Sequence, residues 1–191
     1  MNTTELLDSL KKDVERNVST VKSIFAPLSA DLLNWKPAPG KWSVGECIEH
    51  LNVTDHLYLV RFRKVLMSGR KLFLSRDHYK PSLLGNYFIR QTDPKIGTVK
   101  FTAPAVYQPS NSNVTHEAIV EFIRKQQLLT ETMEKAKRYD LKKNKIYTPV
   151  TNKVRLRFGD ALIITVRHDQ RHILQALNVM KLENFPQQAT R

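Results

Sequence analysis

Gly159–Glu183 reads GDALIITVRHDQRHILQALNVMKLE, and this stretch decides the fold. Ala161, Leu162, Thr165, Val166, Ile173, Ala176, Leu177 and Met180 recur at helical steps and predict one long amphipathic helix. Phe185-Pro186 stops it, and residues 184–191 read as a frayed tail. His168 and His172 stand at i and i+4, one turn apart on one face, in register with Ala161, Thr165 and Ala176. That register points both imidazoles toward the interior, where their nitrogens need partners. One metal ion would supply a partner to each. The other reading is a spacing that arises by chance on a solvated helix face.

Three further helices precede this one. From Thr3 to Leu28, Leu7, Leu10, Val14, Val18, Val21, Phe25 and Leu28 form an apolar stripe on a charged rod. A short helical turn at Ser29–Trp35 follows, before Pro37, Pro39 and Gly40 break the chain. Ser43 with Glu46 makes a capping box that opens a second helix running to about Met67. Its stripe is Val44, Cys47, Ile48, Leu51, Thr54, Tyr58, Phe62 and Val65. A third helix starts near Thr115, an N-cap candidate, with Ile119, Phe122, Ile123, Gln126, Leu129, Met133 and Ala136 inward.

Residues 70–114 between the second and third helices are punctuated by prolines, with room for a short helix at Ser82–Arg90. A connection of this length either covers a site or is a plain surface excursion. From Lys135 to Arg157 there are nine Lys or Arg and one acid, Asp140, and Lys153–Arg157 alternates as a short extended piece. The expected fold is all-α: an antiparallel four-helix bundle in one domain, 1–191, with a long irregular connection between helices 2 and 3.

A third histidine, His50, flanks the stripe of the second helix. Two ligands from one helix and one from another leave coordination positions open, as a catalytic metal requires. The competing reading gives His50 a backbone or carboxylate hydrogen-bond partner in the core. His56, about 240° further round the helix, reads as surface. His78 and His116, in the connection and at a helix start, are not taken as ligands.

Gln126 interrupts an apolar stripe, and Gln175 follows His172 by three residues on the same side. Both are candidates to support the imidazoles or contact substrate, Gln126 with the alternative of a satisfied core amide. Asp169 and Glu49 adjoin ligands in sequence but diverge by about 100° on the helix. Trp35 and Trp42 read as packing residues, and Cys47 as a small buried hydrophobe.

Two motifs carry a resemblance. Leu33–Pro37 (LNWKP) with Lys41–Leu51 (KWSVGECIEHL), and Arg167–Ala176 (RHDQRHILQA) about 120 residues on, resemble the signature of the DinB/YfiT-like superfamily. The resemblance implies a four-helix bundle holding one divalent metal on His50, His168 and His172. It also implies nickel, zinc, iron or manganese as the metal, a thiol-dependent S-transferase, isomerase or metal-dependent hydrolase activity, and a homodimer. Three neutral imidazoles leave the ion its full charge, which lowers the pKa of a bound water or thiol. Thiol ligation favours zinc, and imidazole also suits nickel, iron and copper; zinc or nickel is the favoured expectation, with iron or manganese as alternatives. A low-molecular-weight thiol is then a candidate co-substrate.

Composition narrows the rest. With 41% hydrophobic and 26% charged residues the chain reads as globular. No apolar run spans a bilayer, the N-terminus does not read as a secretory signal, and a single Cys excludes a disulfide framework. The expected compartment is the cytoplasm, with no membrane partner. A formal net charge of +13 suits a small anionic or thiol-bearing substrate. It also supports a competing reading, a basic nucleic-acid-binding helical module, which lacks a recognisable binding motif. A third reading is a bundle with a purely structural metal.

Overall fold

Helix starts in this chain are set by side chains that accept the amides a first turn leaves free. Asn2 and Glu5 form a capping box for α1 (Thr3–Thr20), with both bonds at 2.8 Å. A π-helical turn at Val21–Phe25 continues α1, and Ser29 caps the short α2 (Ala30–Asn34). The expected Ser43–Glu46 box opens α3 (Val44–Ser68), with bonds of 3.0 and 2.9 Å, and Glu46 also pairs with Lys36 at 2.8 Å. Ser82 caps α4 (Leu83–Thr92). α5 is Glu117–Ala136; a turn from Thr115 precedes it, but no side chain caps it. α6 is Phe158–Met180. The computed structural model describes residues 1–72, 78–94, 96, 107–109 and 113–186.

The chain is mostly helical, but the all-α expectation needs a correction. Lys145–Thr148 (β1) and Thr151–Arg157 (β2) pair as an antiparallel hairpin, with Ile146 opposite Leu156 and Lys145 opposite Arg157. The cause is period-two patterning: Ile146 and Leu156 are buried while Lys145, Tyr147 and Arg155 face out. The alternation at Lys153–Arg157 is therefore one strand of a pair.

Apolar residues form two clusters. The first gathers Leu7, Leu10 and Val14 of α1, Phe62 and Val65 of α3, Leu129 and Met133 of α5, the hairpin, and α6 from Phe158 to Val166. The second gathers the π-helical turn, α2, α3 from Val44 to Leu51, α5 from Ala118 to Phe122, and α6 from Ile173 to Val179. α1 and α6 thus run from the first cluster to the second, and α3 and α5 run back. α3 packs on α5 and α6, and α1 packs on the same two helices. Between the clusters lies a buried polar band with one residue from each long helix: Asn17, Asp55, Gln126 and Asp169.

α4 is strapped to the start of α6 by the buried Asp160. Its carboxylate accepts from Tyr79 Oη and Ser82 Oγ, each at 2.6 Å. Gly85 lets the two helices close, since a Cβ there would overlap that carboxylate.

Much of the 70–114 connection lies outside the described residues, as does the end of the expected tail, 187–191. Phe185 of that tail is buried, with its ring edge-on to Trp35 at 5.3 Å. Among the described residues no helix is long and apolar enough to cross a membrane.

Candidate metal centre

The polar band continues toward the second cluster as three imidazoles. α3 supplies His50, fully buried, and α6 supplies His168 and His172, both half-buried. Ring centroids lie 5.0 Å apart for His50–His168, 4.3 Å for His50–His172 and 4.5 Å for His168–His172. One nitrogen from each ring lies within 4.8 Å of the other two. Among the described residues no carboxylate or thiol joins this group.

The tautomer of His50 follows from its partner. Its Nδ1 hydrogen-bonds the backbone carbonyl of Tyr107, which can only accept, so Nδ1 carries the proton. The lone pair of the neutral ring is then on Nε2, which lies 3.2 Å from His168 Nε2. Two nitrogens each about 2.1 Å from one ion lie about 3.0–3.4 Å apart, between octahedral and tetrahedral angles. The observed spacing falls in that range.

Electrostatics keep the rings neutral. Burial pushes His50 down to about 4, with the Tyr107 carbonyl pulling the other way. Burial, then the charges of His172, His50 and Arg171, hold His168 well below the ordinary range. Burial, then His50 and Arg171, take His172 down to about 3, opposed only by the neighbouring Gln175 amide. His172 Nδ1 is buried without a hydrogen-bond partner of normal geometry. Three neutral imidazoles, with the His50 lone pair facing His168, are the donor set of a borderline divalent cation. The residues present fit one.

Around the rings, Trp42 packs against His50 at 4.7 Å and His172 at 5.8 Å. The indole is thus a wall of the site as well as part of the core. Spacing gave no sign of this, because Trp42 precedes the helix. Tyr107 contributes through its carbonyl, which no side-chain pattern reveals. Gln175 lies beside His172, as its spacing predicts.

Gln126 is placed elsewhere. Its Nε2 donates to Asp55 at 2.8 Å and to Asp169 at 3.0 Å, so it braces α3 against α6 one layer from the imidazoles. Burial pushes both carboxyl groups up, and each raised group is well placed to share a proton with the other. Such a proton is the donor that the unpartnered Oδ1 atoms lack. Asp55 had a readable signal: it sits four residues after Leu51 and seven before Phe62, inside the apolar arc. His56, His78 and His116 are exposed, and His116 donates from Nε2 to the Leu28 carbonyl at 2.7 Å. Cys47 is buried, which pushes its thiol up and leaves it a core hydrophobe.

Comparison with curated proteins and with solved structures gives no match. The family model of the DinB superfamily matches residues 13–176, a span that takes in Trp42, the polar band and all three histidines. This chain belongs to the DinB superfamily.

Proposed function

We propose that the protein is a metal-dependent enzyme of the transferase or hydrolase type, with His50, His168 and His172 holding one divalent ion. The convergence of three neutral imidazoles within 4.8 Å carries the reading. We read the four long helices as an antiparallel four-helix bundle in one domain, 1–191. The opposed runs of α1 and α6 against α3 and α5 support this. When bound, the ion supplies Lewis acidity that makes a thiol or water a nucleophile at neutral pH.

The chain's own residues orient and shield. The Tyr107 carbonyl fixes the plane and tautomer of His50. Trp42 excludes water from one side of the rings. Arg171 adds positive charge beside His168 and His172, which suits a small anionic or thiol-bearing substrate. The all-nitrogen donor set suits zinc, nickel or iron better than manganese, and the thiol reading favours zinc, so zinc or nickel is proposed first. A closed structural site uses four protein ligands. Three are grouped here among the described residues, which favours an open, reactive centre over a staple. A cytoplasmic homodimer completes the proposal.

Elemental analysis of untagged protein tests it. One equivalent of metal in the wild type and loss of it in His168→Ala are expected; equal metal in both overturns the reading. Chelation should abolish turnover in a thiol-transfer and hydrolysis screen while the helical circular dichroism persists.

A further inference from the structure

No side chain of the basic stretch 135–157 joins the three imidazoles, and its structure gives it a face. In β1 and β2 the outward positions are Lys145, Tyr147, Lys153, Arg155 and Arg157, while Ile146 and Leu156 bury the other side. Lys145 stands directly opposite Arg157. Like charges placed across a ladder disfavour a hairpin and favour an anion laid over it; Arg157 is half-buried, with Nη1 donating to the Lys80 carbonyl at 3.4 Å, while Lys145 is exposed. Asp140 offers no relief, because it is buried and its Oδ1 accepts the backbone amides of Lys142 and Lys143, both at 2.9 Å.

Cations elsewhere contrast with these. Lys11, Lys36, Arg124, Lys125 and Lys137 each pair with a carboxylate within 3.0 Å. Among the described residues no ion pair reaches Lys145, Lys153, Arg155 or Arg157. Tyr147 is 45% exposed, with the Arg155 guanidinium 5.3 Å from its ring centre.

We infer that the outer face of the β1–β2 hairpin binds the phosphodiester backbone of nucleic acid. Lys153, Arg155 and Arg157 recur at intervals of about 6.7 Å along β2, and Lys145 lies beside Arg157 across the ladder. An exposed tyrosine beside them offers a stacking surface to a base, which a lipid headgroup would not use. The stacking term favours a single strand over a duplex. This inference stands apart from the metal centre and does not depend on it.

Fluorescence anisotropy of the full chain with a short labelled single-stranded oligonucleotide tests it, with a duplex of the same length as the second arm. Four phosphate contacts predict a slope of log affinity against log salt of about −3, a roughly 50-fold loss between about 50 and about 200 mM salt. The combined variant K145Q/K153Q/R155Q/R157Q should lose at least about tenfold in affinity and most of that slope. A control, K12Q/K22Q/K64Q/K181Q, removes as many exposed cations from helices and their ends and should stay within about threefold of the wild type. Should the fourfold variant fail to fold, R155Q alone reads the same surface through a slope reduced by about 0.7. Duplex binding that is lost in the hairpin variant also supports the surface and assigns it to double strands. Equal loss in variant and control, no binding at low salt, or tighter hairpin-dependent binding to vesicles of phosphatidylglycerol and phosphatidylcholine overturns the inference.

Discussion

The side-chain nitrogen of Gln126 lies 3.0 Å from Asp169 Oδ2, and Asp169 is the residue that follows His168. The same nitrogen reaches Asp55 of α3 at 2.8 Å. One amide on α5 therefore fixes the gap between the two helices that carry the histidines.

Removing that amide leaves the buried Oδ2 atoms of Asp55 and Asp169 without their donor. Gln126→Leu should cost about 3 kcal/mol. Urea unfolding should show a lower midpoint at unchanged slope. Metal affinity should fall with it, because α3 and α6 lose their common brace.

Acid-base linkage gives the buried Asp55–Asp169 pair a pH signature, read at Asp55. Burial raises its folded pKa to about 7, above the ordinary value of 3.8. The folded state then holds a proton that the unfolded state has released, so stability is full below the ordinary value and is lost as pH rises through the folded one. Asp55→Asn should flatten that decline. Thermal unfolding of both proteins across pH 4 to pH 7, about the window between the two values, measures the difference.

Metal should stabilise the fold that creates its site. At about a hundredfold excess over the dissociation constant the gain is about 2.7 kcal/mol. For a chain of this size that raises Tm by roughly 5–11 °C. Differential scanning fluorimetry with zinc or nickel, then with chelator, should show the rise and its reversal. His172→Ala should show neither.

Trp42 should report occupancy. Its ring lies against His50 and His172, whereas Trp35 packs on Phe185 away from them. A paramagnetic ion such as nickel should quench the tryptophan emission. Trp42→Phe should abolish the quenching, and Trp35→Phe should leave it in place.

Much of this was legible in the residues. The Ser43–Glu46 box, the apolar periods of the long helices and the His168–His172 spacing are local patterns, and helices obey local rules. Lys153–Arg157 showed its alternation, but its partner strand Lys145–Thr148 is too short to declare itself without the pairing. The link between Tyr107 and His50 runs through a carbonyl, a group every residue owns, so no residue type could betray it. Asp169 looked misdirected beside His168 because helical neighbours diverge. The divergence is what sends it to Gln126.

Because every long rod crosses the polar band, each greasy half takes in segments from both ends of the chain: Leu7 is grouped with Phe158, and Phe25 with Ile173. Each half holds a long contiguous run, 21–51 in one and 129–166 in the other, but neither closes until its distant segments join, and that joining slows the search for the native state. Clipping the first rod would strip both halves at once, and the molecule should fail as a unit rather than shed one end.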